Sequence, residues 1–201
     1  MGREIHMFFF PFFAQGHVIP TVDMAKLFAS RGVKTTIVTT PVNASFFSNT
    51  IERSRESGVH IGVELLKFPA ADVGLPEGCE SADLLPTSPY ENYEKLLKFM
   101  QAVQLLQKPF EKLLGECKPD CLVADLFFPW ATDAANKFGI PRLVFQGTSY
   151  FSLCATECMR LYEPYKKVQS DSEPFVVPNL PGDIEFNQKP TAGFLKTRCR
   201  N

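Results

Sequence analysis

His17 and Asp125 are the side chains whose types and placement suit proton transfer. A neutral imidazole accepts a proton from a hydroxyl, and a carboxylate on its other ring nitrogen fixes the tautomer and stabilises the imidazolium that forms. His17 closes the run Phe8-Phe-Phe-Pro-Phe-Phe-Ala-Gln-Gly-His17 and precedes Val18-Ile-Pro20. Residues 5–10 are almost wholly apolar, as in a strand covered on both faces. Pro11 breaks that run, and Gly16 is expected to let the backbone turn tightly before His17. Val18, Val22, Ala25 and Ala29 then share one helical face, with Pro20 expected in the first turn. The positive end of a helix disfavours a second positive charge, so an imidazole at that junction is expected to stay neutral. The same placement also suits a histidine that only caps the turn.

The elements that must position these two residues follow in order. A helix is expected over 18–30, ended by Gly32. Lys34-Thr-Thr-Ile-Val-Thr-Thr40, rich in β-branched residues, reads as a second strand stopped by Pro41. Asn43 is placed to cap a helix running to about Ser54, and 59–68 reads as a third strand. Residues 69–89 hold Pro69, Gly74, Pro76, Gly78, Pro86 and Pro89, the composition of a long loop, either functional or disordered. Ser88-Pro89-Tyr90-Glu91 reads as a capped helix start, and Tyr93, Leu97, Met100, Val103, Leu106, Phe110 and Leu113 keep one apolar face, with a late kink expected at Pro109.

Cys121-Leu-Val-Ala-Asp125 is a short apolar fourth strand ending in a carboxylate. A helix with Trp130, Ala131, Ala134, Ala135 and Phe138 on one face follows, and Arg142-Leu-Val-Phe-Gln146 is a fifth strand. Gly147-Thr148-Ser149 turns into a helix over about 150–162; it offers hydroxyls and backbone N–H groups to a polar ligand, or only caps its helix. Residues 164–181 show no clear element.

Alternation of strand and helix implies a parallel sheet with right-handed crossovers: an α/β, Rossmann-like, doubly wound domain. In such sheets strand 1 lies beside strand 4, and a crevice opens at their carboxyl ends where the winding reverses. His17 follows strand 1 and Asp125 ends strand 4, so the topology itself brings the pair together. Asp125 alone would equally cap the helix that starts near Pro129.

Composition excludes several classes. The 201 residues, 45% hydrophobic and 21% charged, suffice for one domain with a core. A formal net charge of −1 leaves no electrostatic footprint for nucleic acid or an anionic membrane. The six cysteines have neither zinc spacing nor adjacent histidines, so no metal is expected, and scattered reduced thiols suit a cytoplasmic protein. No signal peptide, membrane span or myristoylation signal is read. Dinucleotide, P-loop, nucleophile-elbow and zinc-protease motifs are missing, so no cofactor is expected. Asp72, Asp83 and Asp133 read as solvated.

Three separated segments carry a resemblance: Phe10-Pro-Phe-Phe-Ala-Gln-Gly-His17-Val-Ile-Pro20, Cys121-Leu-Val-Ala-Asp125-Leu-Phe-Phe-Pro-Trp130-Ala, and Phe145-Gln-Gly-Thr-Ser-Tyr-Phe-Ser-Leu-Cys154. Together they resemble plant family-1 UDP-dependent glycosyltransferases, over about 1–186. The resemblance implies two Rossmann-like domains facing across a cleft (the GT-B fold), of which 1–186 is the N-terminal, acceptor-binding half. It also implies inverting transfer of a sugar, glucose in the first instance, from a UDP-sugar co-substrate to a hydroxyl of a small phenolic, flavonoid, terpenoid or hormone acceptor. His17 would be the base and Asp125 its partner, with Gly16, Phe12, Phe13, Leu85, Phe128, Phe145, Gln146 and Thr148 around the substrate. The family binds its donor mainly through a C-terminal motif that opens with tryptophan. The one tryptophan here is Trp130, so the donor domain is expected to be absent and 187–201 to be a divergent, disordered tail. The competing expectation is a non-catalytic small-molecule-binding or regulatory fragment.

Overall fold

The computed structural model describes residues 4–86 and 89–188, with the side chains of 89–92 left aside. The expected cap at Ser88 and residues 189–201 of the expected 187–201 tail lie outside the described residues. The chain divides into two compact units, Met1–Gly147 and Thr148–Asn201.

The first unit is a five-stranded parallel sheet in the order β3-β2-β1-β4-β5. Its strands are β1 (His6–Phe10), β2 (Lys34–Thr39), β3 (Ile61–Leu65), β4 (Cys121–Asp125) and β5 (Arg142–Phe145). Strand 1 is central and strand 4 is its neighbour, in the register Met7↔Cys121 to Phe10↔Ala124. This is the doubly wound arrangement, and its two cores follow from the two-residue period of β1. Phe8 and Phe10 enter one core with Leu122 and Ala124, whereas Met7 and Phe9 enter the other with Val123. A strand buried on both faces has no room for polar residues, which is why residues 7–10 are all apolar.

Seven helices accompany the described strands: α1 (Gln15–Ala29), α2 (Pro41–Ser45), α3 (Ser48–Glu56), α4 (Pro89–Leu105), α5 (Gln107–Cys117), α6 (Ala131–Asn136) and α7 (Tyr150–Tyr162). Val18, Val22 and Ala25 of α1 pack with Ile51 of α3 on the Phe9 face. Phe99, Val103, Phe110 and Ala131 pack on the Phe10 face. Phe10 lies between two near-parallel rings, Phe128 at 4.1 Å and Phe110 at 4.5 Å.

Several boundaries differ from expectation, each for a local reason. α1 starts at Gln15, so Gly16 lies inside its first turn and is absent from the positive-φ glycines; it makes no tight turn. Pro20 then falls in the second turn, where it has no N–H to offer the Gly16 carbonyl. Gly32, at φ 82°, does end α1 as expected. Asn43 caps nothing; it is buried in α2, and its amide donates to Thr40 Oγ1 (2.8 Å) and the Glu80 carbonyl (2.7 Å). The helix expected to kink at Pro109 is two helices, α4 and α5, with the break at Leu106 and Pro109 tolerated in the first turn of α5. Phe138 is exposed rather than on the buried face of α6.

The loop after β3 is ordered by specific bonds. It holds short 3-10 turns at Ala71–Val73 and Ala82–Leu84. Ala82 N–H (2.7 Å) and Ser81 Oγ (3.1 Å) donate to the Phe13 carbonyl, and Val42 N–H donates to Glu80 Oε2 (2.9 Å). Asp83 is exposed, as the sequence reads, and from there it also accepts the Gln15 N–H at 2.7 Å, placing a remote carboxylate at the helix N-terminus.

In the second unit Ser149 Oγ accepts the Ser152 N–H and caps α7. The stretch that shows no element in sequence holds the 3-10 turn Pro164–Lys166 and β6 (Phe175–Val176), paired antiparallel with β7 (Glu185–Phe186). Two-residue strands carry no readable alternation. Among the described residues no helix is long and apolar enough to cross a membrane.

Candidate active site

His17 is the third residue of α1, and Asp125 is the last residue of β4. The adjacency of β1 and β4 places them at the same carboxyl edge of the sheet. His17 Nδ1 stands 2.7 Å from Asp125 Oδ2. The carboxylate has no solvent exposure, whereas the imidazole keeps 21% of its side-chain surface. Oδ1 of Asp125 accepts the Phe127 N–H at 3.1 Å, so both carboxylate oxygens are engaged. Nε2 of His17 makes no hydrogen bond among the described residues and is the ring nitrogen left for a substrate proton. The His17 carbonyl is tied down as well, by the buried hydroxyl of Thr21 at 2.8 Å.

Aromatic rings frame the imidazole. Phe12 meets it edge-on at 5.5 Å and Phe127 at 5.6 Å, and these two rings touch each other at 4.6 Å. Phe127 is 39% exposed, while Phe13 and Phe128 have no exposure and pack into the core around Phe10. Sequence reasoning chose Phe128 and passed over Phe127, since two adjacent phenylalanines in a turn carry no periodicity to say which one faces outward.

The other expected residues fall as follows. A Cβ on Gly16 would meet no atom within 4 Å, so the backbone there is open to approach. Gly147 abuts the imidazole: a Cβ on it would lie 3.5 Å from His17 Nδ1. Phe145 and Gln146 are half-buried at and just past the end of β5. Leu85 is half-buried and packs against the core cluster that contains Phe10. Thr148 is exposed and opens the second unit.

Sequence reasoning also missed Arg142. Its guanidinium donates to the Asp125 carbonyl (Nη2, 2.8 Å), to Thr132 Oγ1 (Nη1, 2.6 Å) and to the Pro129 carbonyl (Nη1, 3.3 Å). Burial pushes this guanidinium below its ordinary pKa, and the negative charge of Asp125 opposes that shift.

A separate groove of about 660 Å³ lies between α1 and α3, lined by Asp23, Lys26, Thr50, Arg53 and Ser57 among others. Ser30, Ser54 and Ser57 in it donate to carbonyls of their own helices, and Lys26 pairs with Asp23. It therefore offers little to a ligand, and the His17–Asp125 pair is the arrangement suited to proton transfer. Among the described residues no three His, Cys, Asp or Glu side chains gather to hold a metal ion.

The arrangement suits a general base: a buried carboxylate orients an imidazole whose second nitrogen is free beside apolar rings. No protein-family model matches the chain. It is 53% identical over 194 residues to the scopoletin glucosyltransferase of Nicotiana tabacum, covering 96% of this chain and 40% of that one. It is 52% identical over 181 residues to the anthocyanin 3'-O-beta-glucosyltransferase of Gentiana triflora, covering 90% and 36%. Among solved structures, Glycyrrhiza uralensis UGT73P12 complexed with glycyrrhetinic acid 3-O-monoglucuronide superposes with a TM-score of 0.81 at 38% identity, covering 92% of this chain and 36% of that one. The chain thus spans about two-fifths of the length of the curated relatives it matches. With the sheet order and the paired His17 and Asp125, this homology places the chain in the plant family-1 UDP-dependent glycosyltransferases, as an α/β domain matching the N-terminal Rossmann-like half of their GT-B fold.

Proposed function

We propose that this chain supplies the base and the acceptor side of an inverting glycosyltransferase. The enzyme moves a sugar, glucose in the first instance, from a UDP-sugar to a hydroxyl of a small phenolic, flavonoid, terpenoid or hormone acceptor. The 2.7 Å contact between His17 Nδ1 and Asp125 Oδ2 carries this reading. Nε2 takes the acceptor proton as the acceptor oxygen forms its bond to the anomeric carbon. The bond from that carbon to the nucleotide breaks, UDP leaves with the electron pair, and the configuration inverts in one displacement. Asp125 holds the tautomer and balances the imidazolium.

In this reading the acceptor lies against Phe12, Phe127, Leu85, Phe145 and Gln146, with Phe13 and Phe128 as rigid backing and the Gly16 backbone as a polar neighbour. The UDP-sugar is held by the part of the family's length that this chain does not span. The names of the tobacco and gentian relatives support a phenolic acceptor and glucose. A cytoplasmic setting belongs to the same proposal and rests on the scattered cysteine usage.

The test has two steps. Calorimetric titration of the chain with quercetin and with UDP-glucose is expected to show quercetin binding. The chain is then joined to the remaining length of the tobacco relative and assayed for glucosylation of scopoletin. Replacing His17 by Ala is expected to lower that rate by about 10²–10⁴, the usual worth of a general base. Equal rates with and without His17, or no acceptor binding, would overturn the proposal.

A further inference from the structure

Arg142 begins β5 and reaches across to the turn that follows β4. Its three acceptors, the Asp125 carbonyl, the Pro129 carbonyl and Thr132 Oγ1, mark the end of β4, the turn, and the first turn of α6. The same turn is braced from inside by Phe127 N–H, which donates to Asp125 Oδ1. The orientation of the carboxylate therefore depends on Phe127, the position of Phe127 depends on the turn, and the turn is pinned by one guanidinium. Only a planar fork meets acceptors at three points along a chain in this way; an ammonium is a single point charge. The guanidinium also places a positive charge near a fully enclosed carboxylate, where an uncompensated charge is costly.

We propose that Arg142 is a positioning residue for the His17–Asp125 pair: by clamping Asp125, Pro129 and Thr132 together it aims the Asp125 carboxylate at His17 Nδ1. Its importance for transfer rests on the function proposed above, but its effect on the dyad does not. The two can therefore fail separately.

The chain has only three histidines, so each ring is resolvable by ¹⁵N NMR of the intact 201-residue protein. The wild type is expected to show His17 as the Nδ1–H tautomer, with a downfield, exchange-protected proton. In Arg142→Met the exchange of that proton should speed up by about tenfold, the scale of one lost hydrogen bond. The His6 ring, bonded to Thr36 Oγ1 at 2.8 Å on the other side of β1, should be unchanged. Loss of protection at both rings would indicate a general loosening and overturn the proposal, as would a folded Arg142→Met protein with an unaltered His17 signal. If Arg142→Met does not fold, Thr132→Val removes only the 2.6 Å anchor. A severalfold faster His17 Nδ1–H exchange in that variant supports the clamp, and unchanged exchange refutes it.

Discussion

His17 and Asp125 are 108 positions apart, yet Nδ1 and Oδ2 stand 2.7 Å from each other, one group partly open and the other wholly enclosed. The asymmetry suits the roles proposed for the pair. A base must reach its substrate, while the carboxylate that orients it is strongest where water cannot compete.

Asp125→Ala leaves two donors, His17 Nδ1–H and Phe127 N–H, without their acceptor. Leaving a buried donor unpaired costs about 1–3 kcal/mol, so urea denaturation of the 201-residue chain should show a loss of that size. A change within about 0.5 kcal/mol, typical of an inconsequential surface substitution, would mean that the pair contributes nothing to the folded state.

Phe10→Ala empties the space between the Phe110 and Phe128 rings at a position with no exposure. Large-to-small changes of this kind cost about 3–5 kcal/mol. The variant should therefore unfold at markedly lower urea, and its denaturation slope should stay unchanged unless the denatured state has altered.

Asp83→Ala removes the acceptor at the first N–H of α1, on the helix that carries His17. Loss of a capping carboxylate costs about 1 kcal/mol, and the loop around the Ala82–Leu84 turn loses one of its anchors. Limited proteolysis is expected to cut that loop faster than in the wild type, with β1 and β4 still protected; an unchanged cleavage rate would show that the bonds to the Phe13 carbonyl and to Glu80 hold the loop without Asp83.

His6 gives a stability term that depends on pH. Burial, aided by the nearby Lys34 charge, lowers its pKa below the ordinary 6.5. The unfolded chain therefore binds this proton more readily than the folded one, and folding is favoured by deprotonation. The contribution is complete above pH 6.5 and is lost as pH falls from 6.5 toward the lowered folded value. Melting temperatures measured across that interval should fall less steeply for His6→Gln than for the wild type. Parallel slopes would show that the proton uptake lies elsewhere.

The alternation of apolar strands and helices was legible in the residues, and with it the doubly wound class. From that class alone came the adjacency of β1 and β4, and hence the meeting of His17 with Asp125, before any distance was known. These features rest on period and propensity, which act over a few neighbouring residues. The rest depends on partners far along the chain. α1 begins at Gln15 because a carboxylate 68 positions away receives its N–H. Phe128 lies inside and Phe127 outside because the turn after β4 is braced through Asp125 and pinned by Arg142 from the next strand. Sequence by itself determined which residues could form strands, helices and a base with its carboxylate. Only the tertiary structure decided which ring faces the imidazole and what holds the carboxylate on target, because those bonds join segments that no local pattern connects.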